Sequence, residues 1–164
     1  DMQEKPTTEK YDIGYMERTR QYYRAQGYTT DYQWARHDEA PFTRPRKPLS
    51  ESRIAIVTTA MPRISEHKGE RDLEAVPIDP VPESLFTDHL SWDKKNTHTD
   101  DVPSFLPSEQ LQHLVEEGIV GELGPRFYCV PTEYSQRNTR EADAPRILEL
   151  CQQDQIDLAL LVPL

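Results

Sequence analysis

The densest collection of side chains able to do chemistry is Asp88-His89-Leu90-Ser91-Trp92-Asp93, followed closely by His98-Thr99-Asp100-Asp101. Imidazoles and carboxylates at this spacing can hold a divalent transition metal or position a proton donor. His89, His98 and Asp100 are the metal candidates; His89, Asp93 and Asp101, with Thr58 and Thr59, are the ligand-binding candidates. No H-x-H or H-E-x-x-H spacing fixes two imidazoles on one element, so an acidic, proline-rich loop with incidental histidines gives the same pattern. Thr58 and Thr59 end an apolar run and can hydrogen-bond a small ligand there, or cap backbone groups. Cys129 and Cys151 lie far apart, in an apolar run and on a helix face. They read as packed thiols, since Glu133 and Tyr134 beside Cys129 supply no activating base. His37 and His67 stand in polar company, and His113 between Leu111 and Leu114 reads as a surface or half-buried histidine.

The element that would present Thr58 and Thr59 is Ser52-Arg53-Ile54-Ala55-Ile56-Val57-Thr58-Thr59-Ala60, a nearly continuous apolar run. Such a run suits a central parallel strand covered on both faces, and ligands gather beyond the carboxyl ends of parallel strands. Residues 61–103 follow as a polar, irregular connection with Pro62, Pro77, Pro80, Pro82 and Pro103, and with short extended pieces over 75–79 and 85–90. Connections this long are often functional. Ser108 is the expected N-cap of a helix through Leu111, Leu114 and Val115 to Gly118, with Glu109, Glu116 and Glu117 on its wet face. Residues 126–130 read as a strand. Residues 142–153 read as a second helix with Ile147, Leu148 and Cys151 on its buried face and Pro145 in its first turn. Ile156–Val162 carries a buried-strand pattern, and the glycines at 118, 121 and 124 read as helix termination and turn. This order predicts a three-layer α/β sandwich with a mostly parallel sheet over residues 49–164.

Residues 1–48 form a separate arm: a polar tail to residue 10, then a helix from Tyr11 to about Tyr28, stopped by Gly27. Eight aromatic residues fall between Tyr11 and Phe42. An aromatic face of this kind packs on the domain's own core or embraces another subunit, and a homo- or hetero-oligomer with a protein partner is expected. Charge is uneven. Residues 1–52 carry nine basic and nine acidic side chains, so the whole excess behind the formal charge of -10 lies beyond them. An acidic body argues against nucleic acid, and Arg44-Pro45-Arg46-Lys47 reads as a solvated linker. No apolar run approaches the roughly 20 residues of a spanning helix, and no membrane partner is expected. Two cysteines make no disulfide framework and no secretory pattern opens the chain, which points to the cytoplasm. No Walker loop, G-x-G-x-x-G or G-x-S-x-G occurs.

Three stretches together carry a resemblance: residues 52–60, Asp101-Val102-Pro103-Ser104-Phe105-Leu106-Pro107-Ser108 with Leu111 to Leu123, and Leu160-Leu161-Val162-Pro163. Over roughly residues 50–164 the chain resembles the B-subunit (selenoprotein B) family of glycine, sarcosine, betaine and D-proline reductases. The helical stretch ending in Glu-Glu-Gly and followed by Gly-x-Leu is its more characteristic part. The resemblance implies reductive carbon–nitrogen cleavage by a selenolate or thiolate within a multisubunit complex. The nucleophile sits just after a Val-Pro strand end, in a U-x-x-C or C-x-x-C setting, and no such motif occurs up to Leu164. Asp101-Val102-Pro103 and Tyr128-Cys129-Val130-Pro131-Thr132 depart from the family's runs at those places. A relative of this kind that kept the fold without the reaction would act as an accessory or assembly subunit.

Overall fold

The computed structural model of the chain describes residues 9–31, 33, 35–39, 43–63, 72–87 and 98–164. It divides into two compact units, Asp1–Pro41 and Phe42–Leu164, a boundary earlier than the expected one at 48/49. The linker joins the second unit because it is bonded there: Lys47 Nζ reaches Asp157 (2.9 Å), and Gly121 N–H donates to Leu49 O (3.0 Å).

The first unit is built on α1, Glu9–Ala25. The helix stops where glycine permits a left-handed turn: Gly27 has φ +90°, its N–H donates to Arg24 O, and Tyr28 N–H donates to Tyr23 O. This pair of bonds is the Schellman arrangement, and the apolar contact that accompanies it is the edge-to-face packing of Tyr23 on Tyr28, centroids 5.6 Å apart. Of the expected polar tail, residues 9 and 10 belong to α1 and the remainder lies outside the described residues.

In the second unit a five-stranded sheet combines β1 (Arg53–Thr58), β2 (Glu74–Pro77), β3 (Glu122–Leu123), β4 (Arg126–Cys129) and β5 (Leu158–Val162) with several helices, a mixed α/β fold. β5 runs parallel to β1 over its whole length, from Ile54↔Leu158 to Thr58↔Val162. The other edge of β1 is shared by β3, at Arg53 and Ile54, and β4, at Val57 and Thr58, both parallel. β2 lies antiparallel beyond β4. The expected extended pieces are thus β2 and, at Met61↔Phe86, an isolated antiparallel bridge.

Alternation along β1 divides the core. Ile54 and Ile56 face one cluster with Phe105, Leu106, Phe127, Cys129 and Leu111 of α2 (Ser108–Glu116); Ala55 and Val57 face another with Tyr128 and Leu150 of α4 (Ala144–Gln153). Full burial of a side chain such as Ile56 contributes about 1.5–3 kcal/mol.

Four expectations need correction. Leu148, expected on the buried face of the second helix, is exposed, and Leu150 is the residue of that helix buried in the core. Ser108 is the first residue of α2 and does not cap it; the capping position is held by Pro107, and the buried Ser108 hydroxyl has no hydrogen-bond partner among the described residues. The second helix begins earlier than residue 142. Gln136–Asn138 (α3) and a π turn at Thr139–Asp143 lead directly into α4, so Pro145 lies well inside the helical run. Proline lacks an N–H and crowds the preceding turn, and a turn widened to the Ala144 N–H→Thr139 O bond gives it room. Lastly, β5 is not buried. Among the described residues it has β1 on one side and no strand on the other, and Leu161 is 68% exposed.

The amino ends of the strands are joined by charge. Asp154, at the C-terminus of α4 where a carboxylate opposes the helix dipole, accepts two bonds from Arg126 (2.8 and 2.9 Å) and one from the Tyr128 hydroxyl (2.8 Å). Arg53 donates through its guanidinium to Asp154 O, while its N–H donates to the Asp157 carboxylate. The Arg126 guanidinium holds the Asp154 carboxyl below its ordinary range despite burial, and the Arg53 N–H with Lys47 does the same for Asp157. A carboxylate lowered in the folded state stabilises above its unfolded pKa, and that stability is lost as pH falls through the folded value. The Asp154→Asn variant is therefore expected to lose about 1–3 kcal/mol in urea unfolding at pH 7. The gap to wild type should close as pH falls below about 3.9.

Candidate functional site

The carboxyl end of β1 is where the sheet can offer a site, and its two threonines are both spent on backbone. Thr58 is buried, and its hydroxyl accepts from Ala60 N–H (3.2 Å), the backbone-capping alternative. Thr59 reaches across to the end of β5: its Oγ1 accepts from Leu164 N–H (2.8 Å) and donates to Leu164 O (3.4 Å). The segment after Val162-Pro163 is thereby held against the end of the central strand. On the other side Val130 N–H donates to Thr58 O (2.8 Å), so β4 ends level with β1.

Beyond β4 the chain turns through Pro131–Tyr134 into α3. Ser135 caps that helix through Asn138 N–H, and Glu133 accepts from Ser135 N–H (2.8 Å) and Asn138 Nδ2 (3.0 Å). A protein carboxylate therefore lies at the helix start, where an anionic ligand would otherwise gain from the dipole. This disfavours a phosphate there. Glu133 and Ser135 were not among the expected site residues. Ser135 ahead of a polar helical run was a readable N-cap signal, obscured by assigning Pro145 to a first turn.

Of the imidazole and carboxylate candidates, His89 and Asp93 lie outside the described residues, as does His67. His98 and Asp100 sit side by side, His98 Nδ1 lying 3.4 Å from Asp100 Oδ2 and accepting from Asp100 N–H at 3.3 Å, with both side chains exposed. Asp101 is also exposed, and its carbonyl accepts from the Ser104 hydroxyl (2.7 Å). Among the described residues no hydrogen bond or ion pair links these groups to Thr58 or Thr59, and no three His, Cys, Asp or Glu side chains come together as a metal site. His113 is exposed, 3.5 Å from Glu116.

The thiols are separated by the sheet, Cys129 packing in the cluster with α2 and Cys151 against the cluster with Tyr128. Burial pushes the Cys129 thiol up to about 12, with the Glu74 carboxylate adding to the shift; Cys151, half-buried, is raised chiefly by burial. The Tyr128 hydroxyl is likewise raised, by burial and then by its bond to Asp154.

No protein-family model matches the chain, and no curated protein and no solved structure matches it. No helix among the described residues is long and apolar enough to cross a membrane.

At pH 8 a thiol at about 12 carries a thiolate fraction on the order of a thousandfold below that of a free cysteine. Cys129 is therefore expected to stay unlabelled by an aromatic disulfide reagent for as long as the fold persists, with Cys151 reacting slowly. Both should react at once in guanidinium. Mass spectrometry of the labelled peptides reads the difference.

Proposed function

We propose that residues 50–164 form the sheet domain of a subunit of the glycine, sarcosine, betaine and D-proline reductase B type, a three-layer unit working in a multisubunit cytoplasmic complex that cleaves a carbon–nitrogen bond reductively. In this reading Val162-Pro163 is the strand end beyond which such subunits carry their selenolate or thiolate. The observation that supports it is the clamp of Thr59 on Leu164. It draws the chain beyond a Val-Pro strand end to the carboxyl edge of the central parallel strand, where substrates of α/β sheets are met. A chalcogenolate there attacks the substrate carbon, forming a carbon–chalcogen bond as the carbon–nitrogen bond breaks and the amine leaves. A neighbouring thiolate then attacks the chalcogen, the carbon fragment leaves with the electron pair of that bond and takes up a proton, and the disulfide or selenenyl sulfide so formed is reduced by an external dithiol. Neither cysteine of this chain fits the first role, since a nucleophile needs thiolate character and burial raises the pKa of both, Cys129 most.

A second reading, a non-catalytic subunit docking through its amino-terminal arm, is favoured by α1. Tyr22, Tyr23 and Tyr28 form two edge-to-face pairs at its C-terminal end, yet all three rings are exposed. A helix of this length on its own is marginal in water, and contact with a partner would cover the rings. Under this reading, Tyr22→Ser with Tyr23→Ser should abolish capture of that partner and leave the melting of the second unit unchanged.

The two are separated by activity and composition. The 164-residue chain alone should show no dithiol-dependent cleavage of glycine, betaine, sarcosine or D-proline. The protein isolated from its source should carry, in the same polypeptide or in a tightly bound subunit, a cysteine or selenocysteine whose alkylation abolishes turnover. If the isolated chain turns over such a substrate and a folded Cys129→Ser variant does not, Cys129 is the nucleophile and the strand-end reading is wrong. If the protein from its source turns over none of these substrates, the docking reading stands in its place.

A further inference from the structure

β5 carries the composition of an interior strand at the edge of the sheet. The Asp157 N–H donates to Arg53 O, so by strand alternation the N–H and C=O groups of residues 157, 159 and 161 face β1 and those of Leu158, Leu160 and Val162 face away from it. Among the described residues no strand takes up those outward groups. Side chains are exposed on both faces as well: Leu160 is 40% exposed on the face shared with Ile56, and Leu161 68% exposed on the face shared with Val57. Edge strands in monomeric proteins are blunted by lysine, proline, a bulge or an inward charge, and Leu158–Val162 has none of these.

Charge selects what can cover this edge. No charged side chain occurs from Leu158 to Leu164. The carboxylates just before it are already engaged, Asp154 with Arg126 and Asp157 with Lys47 and the Arg53 N–H. A basic or acidic segment would find no counter-charge there. An uncharged strand with leucine on both faces fits, and this chain carries one. We propose that the outer edge of β5 is a self-association surface on which β5 of a second copy pairs antiparallel about a twofold axis at Leu160.

That register sets Leu160 opposite Leu160 of the second copy and Leu158 opposite Val162, so the outward backbone groups of each copy satisfy those of the other. A twofold contact also closes on itself, without open-ended assembly. The two Asp157 carboxylates then fall six residues apart along the ladder, about 20 Å at the usual strand rise. This exceeds the screening length of about 8 Å at physiological salt, so these two carboxylates do not oppose the contact at short range.

Sedimentation equilibrium of the full chain from about 1 to 100 µM, a range suited to an interface of modest area, should show a monomer–dimer equilibrium. Leu160→Lys and, separately, Leu161→Lys should each weaken it at least tenfold, with helix content and melting retained. In a Leu160→Cys variant the paired Cα atoms would lie about 5.5 Å apart, within disulfide reach, and mild oxidation should give a covalent dimer linked through residue 160. Glu109→Cys, at an exposed position on α2, should give none. A chain monomeric throughout the range overturns the proposal. So does a dimer abolished by Tyr22→Ser with Tyr23→Ser but untouched by Leu160→Lys, which would assign association to the arm.

Discussion

The double-sided pairing of β1 is the constraint on which the second unit depends. One edge of this strand carries β5 and the other carries β3 and β4, so every parallel ladder in the sheet includes β1. Its side chains also reach both hydrophobic clusters, and from Ile54 to Thr58 all are buried. A strand used in this way cannot carry charge in its interior, which is why Ile54-Ala55-Ile56-Val57 is apolar without alternation. Close approach is required as well. A Cβ on Gly121 would lie 2.7 Å from the backbone of Glu51 and Ser52, just ahead of the strand.

The two ends of β1 are treated differently. At the amino end, Arg53 and Arg126 draw the end of α4 and the start of β5 onto the sheet through Asp154 and Asp157, with Tyr128 as a third donor to Asp154. Asp154 is only 10% exposed, and its bonds to Arg126 and Tyr128 offset the cost of its burial. At the carboxyl end the bonds run between hydroxyls and backbone, from Thr58 to Ala60 and from Thr59 to Leu164. Ionic ties hold the scaffold at one end; at the other, neutral bonds position a strand end.

How much of this was legible depended on range. β1 and the glycine stops of the two helices, Gly27 and Gly118, both at positive φ, follow from local pattern and read correctly. Leu158–Val162 read as a strand because it is apolar throughout, but periodicity cannot count neighbours, and its exposure at the sheet edge went unseen. The Arg126–Asp154 pair joins residues 28 apart and leaves no local signal. The start of the helical run at Gln136 was hidden by Pro145, which a π turn accommodates. At the candidate site, Thr58 and Thr59 were found at the expected strand end, but their hydroxyls turn to backbone, a choice that depends on which segment lies alongside. His98 and Asp100 are adjacent by sequence alone, and the fold adds no third ligand among the described residues.

The central claim is that Thr59 pins the chain after Val162-Pro163 to the end of β1. Amide hydrogen exchange at Leu164, read by NMR, tests it most directly, since exchange reports local opening residue by residue. The account predicts that the Leu164 amide is protected at least about tenfold over the unfolded chain, the equivalent of about 1.4 kcal/mol. That protection should vanish in Thr59→Val while the amides of β1 keep theirs. A Leu164 amide that exchanges in the wild-type chain at the unfolded rate would contradict it.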